Sequence, residues 1–330
     1  MTILNDDEFK SALKWDVLYG RTTTRTTVAL SPFSVFDIAG TPGAGTLAIG
    51  NTANGVSHTN ATAGYPSFPD APGGRGWYLA GIDGMMSAAG TRELYDFVYS
   101  CGAHTFNAAQ ALTSQPSIDD RLRVAPPWAA STVFRAGDLV TNGTSPIKLY
   151  LCTVGGTSAG SGGPTTTGSA ITDNTVTWRY LSPGLNYADL EILVEMVTAA
   201  TGNQAVNVTY STMQDDGVTL TGSRTTGAVG VGAAPIVGRM WRLPLQAGDK
   251  NAALLTNIAG SVATAGTFNV HLARKIPGRF SSLVSPFADQ FGYDRTRLPY
   301  IPNGAALRDV QTMAGTTSST GPLTLTLAQG

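Results

Sequence analysis

Apolar and polar side chains alternate with a period of two in several separate stretches, and that pattern commits the chain to sheet rather than helix. Leu190, Ile192, Val194 and Met196 alternate with Glu191, Leu193, Glu195 and Val197. Phe268, Val270 and Leu272 alternate with Asn269, His271 and Ala273. Successive strand residues point to opposite faces, so each stretch offers an apolar face to a core. Residues 77–82 read as a strand ending at the Asp83-Gly84 turn. Residues 91–99 read as another, with a helix over 87–98 as the competing reading. Residues 206–210, the turn Asp215-Asp216-Gly217 and residues 218–220 read as a hairpin. Short strands separated by turn signals predict an all-β fold built on a β-sandwich.

The two ends read differently from this core. Residues 5–15 predict a short helix, capped by Asn5 with Glu8 three positions on, and with Phe9 and Leu13 on one face. A lone terminal helix does not hold itself together, so Phe9 and Leu13 are assigned to docking, on the core or on a neighbouring subunit. Residues 20–75 are rich in turn formers and read as an extended arm that contacts partners. Leu323, Leu325 and Leu327 alternate strictly with polar or small neighbours and read as an edge strand awaiting a partner. They are therefore expected at intersubunit contacts. The division that follows is a helix and arm over 1–75, a discontinuous sandwich over 76–125 and 183–330, and a small inserted three-stranded β module over 126–182.

Charge narrows the partners. The chain of 330 residues carries 21 Lys and Arg against 22 Asp and Glu, a net charge of −1, so only 13% is charged. Solitary soluble proteins average about a quarter. Near-zero net charge argues against non-specific binding to nucleic acid or to an anionic membrane. No run approaches the ~18 apolar residues of a membrane span, and the acidic N-terminus lacks the apolar stretch of a secretory signal. Half the usual charge density points to subunits packed in an assembly with copies of themselves, expected here as a trimer.

Chemical motifs are weak. Gly156-Thr157-Ser158-Ala159-Gly160 fits G-x-S-x-G, but its glycine-rich flanks cannot start the helix a nucleophile elbow needs, and it reads as a flexible loop. Gly43-Ala44-Gly45 has no βαβ unit around it and reads as a turn. His58, His104 and His271 show no metal-ligand spacing, nor do Cys101 and Cys152. Glu191 and Glu195 would sit about 13 Å apart on one strand face, too far for a glycosidase pair, and read as a solvated or interface face. No catalytic residue, metal ligand or cofactor is assigned.

One ordered series stands out in the insertion: Trp128, Phe134, Gly137-Asp138-Leu139-Val140, Tyr150 and Trp178. It resembles the chitin-binding-type carbohydrate-binding module, with Phe134 where that family usually has Tyr. The resemblance implies that Trp128, Phe134, Tyr150 and Trp178 serve either as glycan-stacking platforms or as the core of a small module. Residues 190–195, 206–210, 241–249, 268–274 and 298–307 together resemble bacteriophage virion structural proteins of the capsid decoration or cement type. That resemblance implies a place on the capsid surface after synthesis in a bacterial cytoplasm. The implied partners are the major capsid protein and, in a tail or fibre alternative, a host surface glycan.

Overall fold

The computed structural model describes all residues except 1–5, 51–52, 107–108, 145, 186, 202–203, 231–235, 262–264, 283–286 and 292–297, with side chains described outside Asp6 and residues 278–297. Asn5 thus lies outside the described residues. Strands hold 47% of the chain and helix 3%, so the all-β expectation is met, including a small N-terminal helix.

Two strands of 16 residues, Gly90–Thr105 and Thr267–Ser282, organise the molecule. They pair antiparallel at the centre of a six-stranded sheet ordered Met240–Leu243, Leu190–Thr198, Thr267–Ser282, Gly90–Thr105, Leu307–Met313 and Pro32–Ser34. Leu272 and Ile276 sit four positions apart on one strand, hence on one face, yet they belong to different cores. At one end this face packs on the sheet containing Ala205–Ser211 and Leu254–Gly260, burying Val98, Ile192, Val208, Tyr210, Ile258 and Phe268. At the other end it packs on the sheet Phe287–Phe291, Trp77–Met86, Leu323–Gln329, Lys14–Arg21 and Gly40–Thr41. That second core holds Trp77, Leu79, Leu94, Leu307, Met313 and Leu325.

The opposite face of the central sheet is covered by irregular chain from 35 to 65. Phe36, Leu47 and Tyr65 pack there on Phe97, Leu193 and Ala273. The extended-arm expectation is therefore corrected. Phe33, Val35, Phe36, Leu47, Tyr65 and Phe68 are buried in the chain's own body, because a two-sided apolar sheet needs a cover on both faces.

Further expectations change at the ends. The helix is only Asp6–Ser11, and Lys14–Arg21 is a strand. Its alternation of exposed and buried residues over 16–19 follows the period of two, while Lys14 and Trp15 are both exposed. The strand Trp77–Met86 runs straight through Asp83-Gly84, since Leu323–Gln329 pairs along it. Gly90–Thr105 is strand, not helix. Residues 218–220 make only an isolated bridge, Met213 to Leu220, and Ala205–Ser211 pairs instead with Leu254–Gly260 along one edge and with Arg224–Thr225 and Val229–Gly230 along the other.

Residues 126–182 carry a four-stranded sheet ordered Ile171–Asp173, Val176–Pro183, Lys148–Val154 and Leu139–Asn142, plus the pair Val133–Phe134 with Gly156–Thr157. The expected three strands are thus exceeded. The two strands of its neck are bridged at Arg123 and Leu185, and the Thr141 hydroxyl donates to the carbonyls of Ala125 and Pro126.

Replacing Leu325, fully buried between two strands, by Ala is expected to cost ~2–5 kcal/mol. Leu18→Ala, on the exposed face of Lys14–Arg21, is expected to stay within about 0.5 kcal/mol. Urea unfolding midpoints of the two variants check the contrast.

Candidate functional site

The insertion's aromatic series forms a core. Phe134, Tyr150 and Trp178 are buried together with Val140, Cys152 and Val176, and the Phe134 and Trp178 rings meet edge to face at 4.9 Å. Rings closed in this way have no face left for a sugar, so the platform alternative is corrected for these three residues. Trp128 is half-buried, and the Gly163 backbone lies against its indole so closely that a Cβ would sit 2.7 Å from the ring.

One carboxylate ties this core. Asp173 Oδ2 accepts from Trp128 Nε1 at 2.8 Å and from Trp178 Nε1 at 2.9 Å, while its Oδ1 accepts from the Ala159 N–H. Buried indole N–H groups need acceptors, and that need was the only sequence signal for Asp173. The Gly-, Ser- and Thr-rich stretch is pinned rather than flexible. Asn142 Nδ2 donates to the carbonyls of Gly162 and Pro164, and the Tyr150 hydroxyl donates to that of Thr166. Ser158, the serine of G-x-S-x-G, is buried and donates to the Ala129 carbonyl.

The terminal residues separate into two groups. Leu323, Leu325 and Leu327 fill the second core, and their strand lies between Lys14–Arg21 and Trp77–Met86, so neither of its edges is open. They are not intersubunit contacts of an edge strand. Phe9 is half-buried beneath the Lys14 ammonium, and Leu13 lies past the helix with 51% exposure.

The covered face of the central sheet holds a charged seam that sequence reading placed on a solvated face. Glu195 is wholly buried and is paired by Arg308, which also bonds Ser34 Oγ. Glu195 Oε2 lies 3.2 Å from His271 Nε2, and His271 Nδ1 lies 2.6 Å from Ser100 Oγ. With Glu195 ionised beside Arg308, the network assigns Nε2–H as donor to Glu195 and the Ser100 hydroxyl as donor to Nδ1. The Arg308 guanidinium stacks over Phe36 and Phe97 at 4.3 and 4.7 Å. Hydroxyl, imidazole and carboxylate stand in the order of a hydrolytic triad. Ser100 nevertheless sits in mid-strand with no exposure, and its N–H and C=O both pair with Val56. A substrate carbonyl has no approach to Oγ in this arrangement.

A second charged group stands where the two cores meet. Asp96 is wholly buried, is bound by Arg121, lies 3.7 Å from Arg274, and accepts from the Ala306 N–H. On the same face, Arg92 pairs with Asp309 at 2.7 Å, and Gln311 Nε2 donates to Asp309. Glu191 is half-buried against Arg242 at 2.8 Å. Among the described residues no group of His, Cys, Asp and Glu is placed to hold a metal. Cys101 and Cys152 are free and buried, and burial raises their thiols to about 12 and about 11.

Among the clefts formed by the described residues, two have charged linings that bear on function. One of about 190 Å³ lies between the insertion's neck and the core, lined by Arg123, Asp189, Arg274, Lys275 and Tyr300. Its outer cations are already paired, Arg123 with Asp120 and Lys275 with Glu93. The other, about 450 Å³, lies between the turn at Asp215-Asp216 and the turn at Asp249-Lys250. Asp216 folds back there onto the Val218 and Thr219 N–H groups.

No protein-family model and no curated protein matches this chain. Among solved structures, a chain of infectious bursal disease virus Gt strain is 13% identical over 97% of this chain and 81% of its own, with a TM-score of 0.16. A chain of the infectious bursal disease virus VP2 subviral particle is 12% identical over 96% and 80%, again with a TM-score of 0.16. Superposition at that level does not define a shared fold.

Burial drives the three histidines below their ordinary range, His104 to about 4 and His58 to about 3, with His271 lowered in the same direction. A histidine depressed in the folded state contributes its stability above about pH 6.5 and loses it as pH falls toward the folded value. The unfolding free energy is therefore expected to decline from about pH 6.5 to about pH 4, and His104→Leu is expected to flatten that slope in denaturant titrations. Burial alone would raise Glu195, but Arg308 and His271 outweigh it and hold the carboxyl at about 2. Its contribution is present above about pH 4.3 and is lost as pH falls toward 2. Arg308→Met leaves that charge unmatched and is expected to cost ~3–5 kcal/mol. In the insertion, Asp173→Ala is expected to cost ~2–4 kcal/mol by orphaning two indole N–H groups, with a shift in tryptophan emission as the readout.

Proposed function

We propose that this chain is a structural protein of a bacteriophage virion, of the kind that decorates and cements the capsid shell. The observation that carries the reading is where the charge goes. The whole chain has only 21 basic and 22 acidic residues. Nine of them, Arg92, Asp96, Arg121, Asp138, Asp173, Glu195, Arg274, Arg308 and Asp309, are buried among the described residues. At most 34 charged residues remain for the rest of this 330-residue chain, a sparse complement, while Leu13, Trp15, Leu18, Val133 and Val154 are exposed. Such a surface suits a body that stands among close neighbours.

In this reading, copies of the chain and the major capsid protein bury apolar surface at about 25 cal/mol per Å². Contacts of about 1,600 Å² each then raise the work of parting the shell. Three copies around a closed ring are the arrangement carried by this reading. The capsid surface is its location, and the bacterial cytoplasm its place of synthesis. The side chains most able to do chemistry, Ser100, His271 and Glu195, act inside it as cross-links between strands.

Immunogold labelling of purified particles is expected to place the chain over the icosahedral head. Particles lacking it are expected to release their genome at a lower temperature than complete ones. Absence of the chain from purified particles overturns the proposal, and label confined to the tail replaces it with the tail or fibre assignment.

A further inference from the structure

One partly open sheet edge runs along Lys14–Arg21. Lys14–Arg21 pairs along residues 14–19 with Leu323–Gln329 on one side. On the other side it pairs only through Gly20 and Arg21, with Gly40–Thr41. Among the described residues no strand pairs with the second edge of residues 14–19. That stretch carries Trp15 at 41% and Leu18 at 53% exposure, with Leu13 just before it. An edge with unpaired N–H and C=O groups and apolar side chains is a template for another strand.

We infer that this edge takes the same strand of a second copy, antiparallel about a two-fold axis at Trp15, so that one sheet runs through both copies. Charge fixes the register. With the axis at Trp15, Lys14 of each copy stands opposite Asp16 of the other, giving two opposite-charge pairs. Trp15 then faces Trp15, and Leu13 faces Val17. With the axis at Asp16, two carboxylates face each other. With the axis at Val17, Lys14 faces Gly20 and Asp16 faces Leu18, so neither charge is matched. Directly opposed unlike charges and aromatic pairs stabilise antiparallel strands, and like charges destabilise them. Both charges are available for this. Lys14 Nζ holds only the exposed Lys10 carbonyl at 3.3 Å, with the Phe9 ring beneath it, and Asp16 engages Thr326 through Oδ1 alone. The contact is isologous, with the same patch on both sides. It gives a pair in free solution, and in a shell it would join one three-fold ring to the next. It stands whether or not the virion assignment does.

Sedimentation velocity on the full chain tests it. The wild-type chain is expected to form a dimer that dissociates on dilution. Lys14→Asp alone and Asp16→Lys alone are each expected to weaken it about tenfold, because both pairs become repulsive. The double variant Lys14→Asp with Asp16→Lys recreates opposite pairs in the same register and is expected to recover the wild-type dissociation constant. Lys14→Asp gives up only contacts with the exposed Lys10 carbonyl and the half-buried Phe9 ring, so it remains informative should Asp16→Lys perturb folding. A chain that sediments as a single copy at every concentration overturns the inference. So does an assembly indifferent to the single reversals, or one that the double reversal fails to restore.

Discussion

A carboxylate without access to water must be matched by a cation, or folding forces a proton onto it. Asp96 meets that demand between the two cores, on a strand that contributes side chains to both. Arg121 reaches it from the turn Asp119–Arg121, Arg274 lies beside it on the paired strand, and the backbone at Ala306 donates to it. These three partners come from three separate parts of the chain. The ion cluster therefore fixes how the long strands, the turn at 119–121 and the return at 306 sit together, which apolar packing alone leaves free to slide. On the other face, Glu195, Arg308, His271 and Ser100 tie four adjacent strands of the central sheet in the same manner.

The sheet-forming stretches were legible because their alternation is local. Leu190–Thr198, the first half of Thr267–Ser282 and the C-terminal strand all follow from a period of two. Strand order is not local, and there the sequence was silent. An apolar alternation such as Leu323, Leu325 and Leu327 looks the same whether the strand is an open edge or has neighbours on both sides. Glu195 and His271 sit in polar register on their strands and so read as solvent-facing. What buries them is the covering chain from 35 to 65, whose irregular backbone has no periodicity to announce that it packs on anything. Arg308, the cation that makes burial of Glu195 tolerable, lies 113 positions away.

The insertion shows the same division between residue identity and residue role. Its aromatic series was visible as a series. Whether the rings faced inward or outward depended on Asp173, on the loop held by Asn142 and on Gly163 lying over Trp128. Small β modules have few large side chains, and recruiting most of them as core leaves few for display.

The partnership of Lys14–Arg21 with Leu323–Gln329 has a temporal side. Asp16 and Thr326, joined by a 2.8 Å hydrogen bond, are 310 positions apart. During synthesis the early strand waits for its mate while the roughly 300 residues between them are made, with Val17 and Tyr19 uncovered. Only once the ribosome has delivered Leu323–Gln329 does the sheet close over them. A chain cut short upstream keeps that sticky ribbon bare, which marks prematurely terminated products for chaperones and proteases before they can join finished copies.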